Sequence, residues 1–302
     1  MASARGTTGA ATPPQKLQGV DIVFAGLFCL LWSSAFTASK IALLDSPPLV
    51  LLAARYLTAG VILLGIAALL GPLPRLARRD YVILILVGLF LHALHLGFGF
   101  SGLSRVTSGF AVILLSTSPI LIAFLAAIFL GERLTLAKLA GLALGITGVA
   151  IVFRSRLSGG LEDPLGALFL MIAVSALVVG TVIYKRLAPA GGLWYGQSIQ
   201  FLAAGIGVLP FMFWLNDLSD VNLTTSLFLS WSYIVVFQAI GAYSLWLYLV
   251  SHTSASAASS LLFLTPPLGL FFGWLVLDEP VAVMDLVGII PIAIGIRLAT
   301  RS

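Results

Sequence analysis

Apolar residues along this chain do not alternate with polar ones; they run in blocks, each about as long as a bilayer's hydrocarbon core is thick. A helix that crosses a membrane needs roughly 20 apolar residues at ~1.5 Å rise each. Charge, proline and glycine cut the chain at that length ten times, near residues 21–39, 48–70, 80–101, 108–130, 136–153, 164–183, 192–214, 226–249, 256–277 and 282–299. Stretches such as YVILILVGLF and AVILLSTSPILIAFLAAIFL lack the two-residue alternation of a transmembrane barrel strand. The pattern predicts an all-α polytopic membrane protein with ten transmembrane helices.

Composition turns this into an exclusion. Only 9% of the 302 residues are charged and 60% are hydrophobic, against about 25% charged in a soluble domain. The 16 Lys and Arg residues are scattered between apolar blocks and form no stripe, so nucleic acid is not an expected partner. Their positions report topology instead. All but five fall on the face that carries both termini; Lys40, Arg105, Arg154 and Arg156 fall on the other, and Arg55 lies inside the start of the second span. The excess of positive charge places both termini on the cytoplasmic side of the membrane. Residues 1–20, small and polar with Pro13 and Pro14, read as a cytoplasmic disordered tail without a signal-peptide core. The single cysteine, Cys29, provides neither a disulfide framework nor a thiol metal site, and no cofactor is expected.

The chain also repeats itself. TSPILIAFLAAIFLGERLTLAKLAGLALGITG (117–148) lies over LTPPLGLFFGWLVLDEPVAVMDLVGIIPIAIG (264–295) at a constant offset of 147, pairing Pro119 with Pro266, Glu132 with Glu279, Gly141 with Gly288 and Gly148 with Gly295. Upstream, ARYLTAG (54–60) lies over IQFLAAG (199–205) at an offset of 145. Two halves of five spans, 21–153 and 154–302, must enter the membrane from opposite sides. That is the inverted-repeat plan of secondary transporters, with substrate at the midplane between the halves. Both repeats sit in one chain, so a monomer suffices, its partners being a small-molecule substrate and the lipid bilayer.

Each half has a proline in its fourth helix, then FLGE or VLDE, then a glycine-rich fifth helix. Over about residues 20–300 this resembles the EamA-type branch of the drug/metabolite transporter superfamily. Within that branch the chain is similar to the YddG-type exporters of aromatic amino acids. The resemblance implies an inner-membrane exporter with a central cavity lined by helices of both halves.

Candidate site residues follow from depth and from the repeat. Pro119 and Pro266 fall near the middle of their spans and read as a symmetric pair of gating bends, or as static kinks packed by neighbours. His92 and His95 are three apart on one helix face; they meet substrate or bond carbonyls and hydroxyls of adjacent helices. The offset of 147 carries them to Ala239 and Ala242, which sets Tyr243 and Trp246 on the matching face of the eighth helix. With Trp32, Phe98 and Phe263 these compose an apolar cage for flat rings, and Ser260 adds a hydroxyl. Arg55 is expected to snorkel to the interface or to anchor a carboxylate. Glu279, just before Pro280, reads as the start of its own following helix, and Glu132 as an interfacial partner of Arg133 or Lys138.

No Asp or Glu falls near the midpoint of a span, where proton relays usually lie. Transport therefore reads as uncoupled or at most weakly proton-linked, and with the aromatic set and the resemblance the chain reads as an exporter or facilitator of amino acids, especially aromatic and bulky neutral ones, and of related metabolites, working by alternating access. The runner-up is a broad drug or metabolite exporter. A cation-selective pump would want a membrane carboxylate, and a sugar-phosphate carrier a basic residue at the midplane. An intramembrane enzyme is disfavoured by the absence of GxSxG, HExxH or paired-Asp patterns, and a passive channel would show flux that does not saturate.

Overall fold

A computed structural model describes residues 19–130, 135–160, 162–187, 189–252 and 264–300. Among these, ten helices follow one another: α1 (Gly19–Asp45), α2 (Pro48–Leu70), α3 (Arg78–Leu103), α4 in two pieces (Ser108–Leu115 and Ser118–Leu130), α5 (Leu136–Ser158), α6 (Pro164–Leu187), α7 (Leu193–Leu215), α8 in three consecutive pieces (Thr225–Tyr233, Ile234–Ala242, Tyr243–His252), α9 (Thr265–Leu277) and α10 (Val283–Thr300). The all-helical membrane architecture is as the hydropathy pattern predicts. Seven of the helices, α1 to α3 and α5 to α8, contain a stretch long and apolar enough to cross a membrane unbroken. α4 falls short because it is interrupted, and α9 and α10 contribute shorter apolar stretches.

The packing follows a two-fold plan. α2 lies along α7 and α5 along α10, each against its own counterpart in the other half. α1 packs on α8 and α9, while α6 packs on α3 and α4, which is the same pair of contacts with the halves exchanged; α4 meets α9. The glycines show how closely this symmetry holds. A Cβ built on Gly148 would lie 2.6 Å from the Gly288 carbonyl oxygen, and one on Gly295 would lie 2.5 Å from that of Gly141. Exchanging the halves at the offset of 147, which carries Gly148 to Gly295 and Gly288 back to Gly141, turns the first contact into the second. In the same way a Cβ on Gly60 would stand 3.1 Å from the Leu202 nitrogen and one on Gly205 3.1 Å from that of Leu57, related by 145. Without side chains at these points the backbones approach closely, which is what drives helix association in lipid.

Gly288→Val is accordingly expected to destabilise the protein by about 1–3 kcal/mol, the usual cost of overpacking. Its Cβ would meet the Val152 side chain and lie 2.8 Å from the Gly148 oxygen. Thermal unfolding of the detergent-solubilised protein checks this, with Gly26→Val and Gly65→Val as controls that leave the midpoint in place, since a Cβ there meets nothing within 4 Å.

Irregularities also come in pairs. Gly88–Leu94 within α3 and Ile234–Ala242 within α8 are π-helical, and the 147 offset lays Gly88 on Val235. Such wide turns recur at functional sites. The repeat-related pieces Ser118–Leu130 and Thr265–Leu277 begin and end 147 residues apart, and Pro119 and Pro266 each stand second in their piece. They therefore open a helical segment instead of kinking one in its middle, as their place in the apolar spans suggested. The first helical turn has no intrahelical acceptor for its N–H groups, so a proline there removes no bond.

Candidate functional site

Helices of both halves enclose a central cavity of about 40 Å³, lined by Trp32, Ser39, His95, Phe100, Gln238 and Tyr243 among others. That volume is about one water's worth. Rings continue outward from it. Trp32 meets Tyr243 edge-on at 5.3 Å between centroids, Tyr243 meets His92 at 5.7 Å and Phe201 at 6.0 Å, His92 meets Phe201 at 4.8 Å, and Phe201 meets Tyr56 at 5.1 Å. These separations are the range in which edge-to-face pairs are attractive. Tyr56 and Phe201 are counterparts at the offset of 145, so the aromatic row crosses the two-fold relation.

The histidines part company at the π turn. His95 donates its Nδ1 hydrogen to the Ala173 carbonyl at 2.9 Å, which fixes α3 to α6 and leaves Nε2 of the neutral ring as an acceptor. His92 instead points toward α7, its Nε2 lying 3.3 Å from Gln200 Oε1, and is walled off behind Tyr243 and Phe201. A Cβ on Gly88 would collide with the Gln200 carbonyl, so glycine is what lets α7 come this near. Of the two histidines, only His95 lines the cavity.

Arg55 is the residue that sequence reasoning placed wrongly. It stands seven residues into α2, roughly 10 Å along the helix, on the face that carries Leu52, Tyr56 and Ala59 into the core. It does not snorkel: its side chain is fully buried. The guanidinium carbon lies 5.4 Å from the Tyr56 ring centroid and 5.8 Å from that of Phe100, and Phe100 is itself a cavity wall. Among the described residues none of its three guanidinium nitrogens has a hydrogen-bond partner, and the same holds for Ser33 Oγ, Thr37 Oγ1, Tyr56 Oη, His92 Nδ1 and Gln238 Oε1. Burying an unpaired charge costs several kcal/mol, and two cation–π contacts return only about 1–2 kcal/mol each.

A second polar layer closes the face opposite the termini. A vestibule of about 410 Å³ is lined by Lys40, Arg105, Thr107, Glu162 and Glu279 among others. Beneath it Arg156, fully buried, donates from Nε to Asp285 Oδ1 at 2.8 Å, from Nη2 to Asp285 Oδ2, and from Nη1 to Glu162 Oε1 at 2.9 Å. Glu162 also accepts the Thr107 amide at 2.8 Å and the Thr107 hydroxyl. Glu279 does not start its own helix. Its Oε1 accepts the Ser108 amide at 2.7 Å and its Oε2 the Ser108 hydroxyl at 2.7 Å and the Gly109 amide at 3.2 Å, so it caps α4 of the other half. Asp285 takes the expected role at α10 by accepting the Ala282 amide at 2.8 Å. In the loop before α6, Asp163 is held below the usual carboxylate range, first by the Leu165 amide and then by Arg105.

Of the residues singled out from sequence, Trp32, His95 and Tyr243 meet at the cavity. Phe98 packs on Phe169 of α6 at 5.8 Å and stands off the lining. The α3 stripe that faces inward runs through His95, Gly99 and Leu103 with Leu96 and Phe100 beside it, and Phe98 falls on its flank. Trp246 lies on α8 with its side chain outside the described part, as is that of Pro119, while Glu132, Ser260 and Phe263 lie outside the described residues altogether. Pro266 is buried. Phe100 and Gln238 went unrecognised as site residues, and Arg55 was read first as an interfacial cation, because apolar spans carry no periodicity that tells an inward face from a lipid face.

Comparison with known proteins supplies a family. The model of the EamA-like transporter family matches twice, over residues 20–154 and 164–301. The chain is 28% identical to the uncharacterized inner membrane transporter YedA of Escherichia coli (strain K12), covering 83% of this chain and 81% of that one. It is 26% identical to the uncharacterized transporter YvbV of Bacillus subtilis (strain 168), covering 89% and 88%. A WAT1-related chloroplastic protein of Arabidopsis thaliana is 26% identical over 85% of this chain, which spans only 64% of that relative's length. A crystal structure with 17% sequence identity superposes with a TM-score of 0.64 over 93% of this chain and 96% of its own, which establishes the fold alone.

Proposed function

The chain belongs to the EamA-like transporter family, and on that footing we propose that it is an inner-membrane facilitator that exports amino acids, foremost aromatic and bulky neutral ones, and related metabolites by alternating access. The distribution of Lys and Arg supports an orientation with both termini in the cytoplasm. The observation that carries the substrate reading is the ring-walled cavity between the halves, where Trp32 and Tyr243 stand against His95 and Phe100. Flat rings offer apolar area and edge-to-face partners for an aromatic side chain. At about 40 Å³ the cavity is too small for such a ligand, so binding requires one face to open. No carboxylate lines it among the described residues, which supports transport that is not driven by protons. A sharpened apolar wall without fixed negative charge also weighs against a pump specific for cations.

Counterflow in proteoliposomes preloaded with phenylalanine, tryptophan, threonine or a cationic dye tests this. Saturable exchange of phenylalanine is expected, reduced at least about tenfold, or ~1.4 kcal/mol, in Tyr243→Ala and His95→Ala. An imposed pH gradient is expected to produce no uphill accumulation. Exchange of the dye alone would replace this reading with the broader exporter.

A further inference from the structure

We propose that Arg55 is the carboxylate anchor of the cavity, so that the site selects aromatic monocarboxylates whether or not they carry an amino group. This deepens the reading of the cavity as a substrate site and rests on it. The guanidinium is fully buried, and among the described residues none of its nitrogens is hydrogen-bonded. Among the described residues the titratable groups recorded as interacting with its charge are Tyr56, Tyr243, His92 and His95, none of them a carboxylate. Elsewhere this protein pairs its buried arginine: Arg156 holds two carboxylates and a carbonyl. Among the described residues Arg55 is thus a buried arginine without a hydrogen-bond partner, and it stands beside the cavity.

Position then says what the charge is for. Phe100 both lines the cavity and stacks against the guanidinium, and Tyr243, a further wall, lies within its electrostatic reach. A ligand in an enlarged cavity would place a carboxylate against the planar fork of Arg55, which suits two parallel N–H···O bonds, and its ring among Trp32, Tyr243 and Phe100. The ammonium of an amino acid finds no such counter-charge. The oxygens offered by the described lining side chains are neutral, from Ser39, Gln238 and Tyr243. They can accept a hydrogen bond but do not compensate a buried charge. One fixed cation also matches one anionic charge, which favours a carboxylate over a phosphate dianion.

The test uses the full-length protein in proteoliposomes that exchange labelled phenylalanine, with unlabelled 3-phenylpropanoate, phenylethylamine and phenyl phosphate as competitors. Competition by 3-phenylpropanoate within about threefold of phenylalanine, and by phenylethylamine at least about tenfold more weakly, is the expected result; a tenfold ratio is ~1.4 kcal/mol. Arg55→Gln is expected to erase that preference and Arg55→Lys to keep part of it. The parent's own selectivity decides the matter even where Arg55→Gln fails to fold. Phenylethylamine or phenyl phosphate competing as well as 3-phenylpropanoate would overturn the proposal, as would an unchanged preference in a folded Arg55→Gln. If phenylalanine does not exchange at all, the amino-acid reading fails while Arg55 is still tested. Thermal stabilisation of the purified protein by 3-phenylpropanoate, lost in Arg55→Gln, then supports the anchor, and no stabilisation of the parent refutes it.

Discussion

Arg156→Met is expected to be the most damaging single substitution in the protein, lowering its stability by about 3–5 kcal/mol, the cost of leaving buried charge uncompensated. The reason is stoichiometric. Arg156 is the shared cation of Asp285 and Glu162, so removing it strands two buried carboxylates at once. Asp285→Asn is expected to cost clearly less, because Arg156 keeps Glu162 and the Pro280 carbonyl. In Arg156→Met/Asp285→Asn the remaining carboxylate still accepts the Thr107 amide and hydroxyl, so the double variant is expected to be more stable than Arg156→Met alone. Thermal unfolding of the three variants in detergent gives the order. Should Asp285→Asn be as harmful as Arg156→Met, or the double variant worse than both, the network does not work as a shared-cation cluster.

The same contrast explains what the amino-acid sequence disclosed and what it withheld. Helix number and the relation between halves were legible because both rest on long features: roughly 20-residue apolar blocks, and a repeat held in register without a gap. The four glycines that the repeat aligns, Gly141 with Gly288 and Gly148 with Gly295, are also where α5 and α10 approach each other, but crosswise, Gly148 against Gly288 and Gly295 against Gly141. Orientation of single side chains was another matter. A helix apolar on all sides shows no moment, so nothing in ARYLTAG distinguishes an arginine turned to the interface from one turned to the core. Phe98 and Phe100 are equivalent by composition and differ only in helical phase. Glu279 beside Pro280 carries a local signature of helix initiation, yet its carboxylate is claimed by a helix 170 residues away in sequence. Local rules describe a helix end in isolation and cannot see a donor that the tertiary fold brings to it.

That contact carries the second large expected effect, on conformation more than on stability. α9 ends with Asp278 in the left-handed region at φ 51°, a conformation Asp tolerates better than most residues. The reversal turns the chain back so that Glu279 lies over the end of α9, its amide donating to the Gly273 carbonyl at 3.2 Å. From there it caps Ser108 and Gly109 of α4, joining the two halves over the face opposite the termini. On the same face, but within the first half, Lys40 of α1 donates to the carbonyls of Leu103 and Val106 at 2.6 Å each. Charge-assisted caps of this kind contribute about 1–2 kcal/mol. If they exist only while that face is closed, losing one shifts the closed-to-open ratio by about tenfold per 1.4 kcal/mol. Glu279→Gln is therefore expected to raise the rate at which a membrane-impermeant maleimide, added from that face, labels a cysteine at the cavity-lining Ser39 in a Cys29→Ala background. Gly273→Ala provides an independent route to the same result, because a Cβ there would lie 2.5 Å from Glu279 Oε2 and 2.7 Å from Ser108 Oγ and so displace the carboxylate without altering its charge. Faster labelling in both variants identifies the Glu279 cap as a closure of that face, whereas unchanged labelling in both reduces it to a helix cap that plays no part in alternating access.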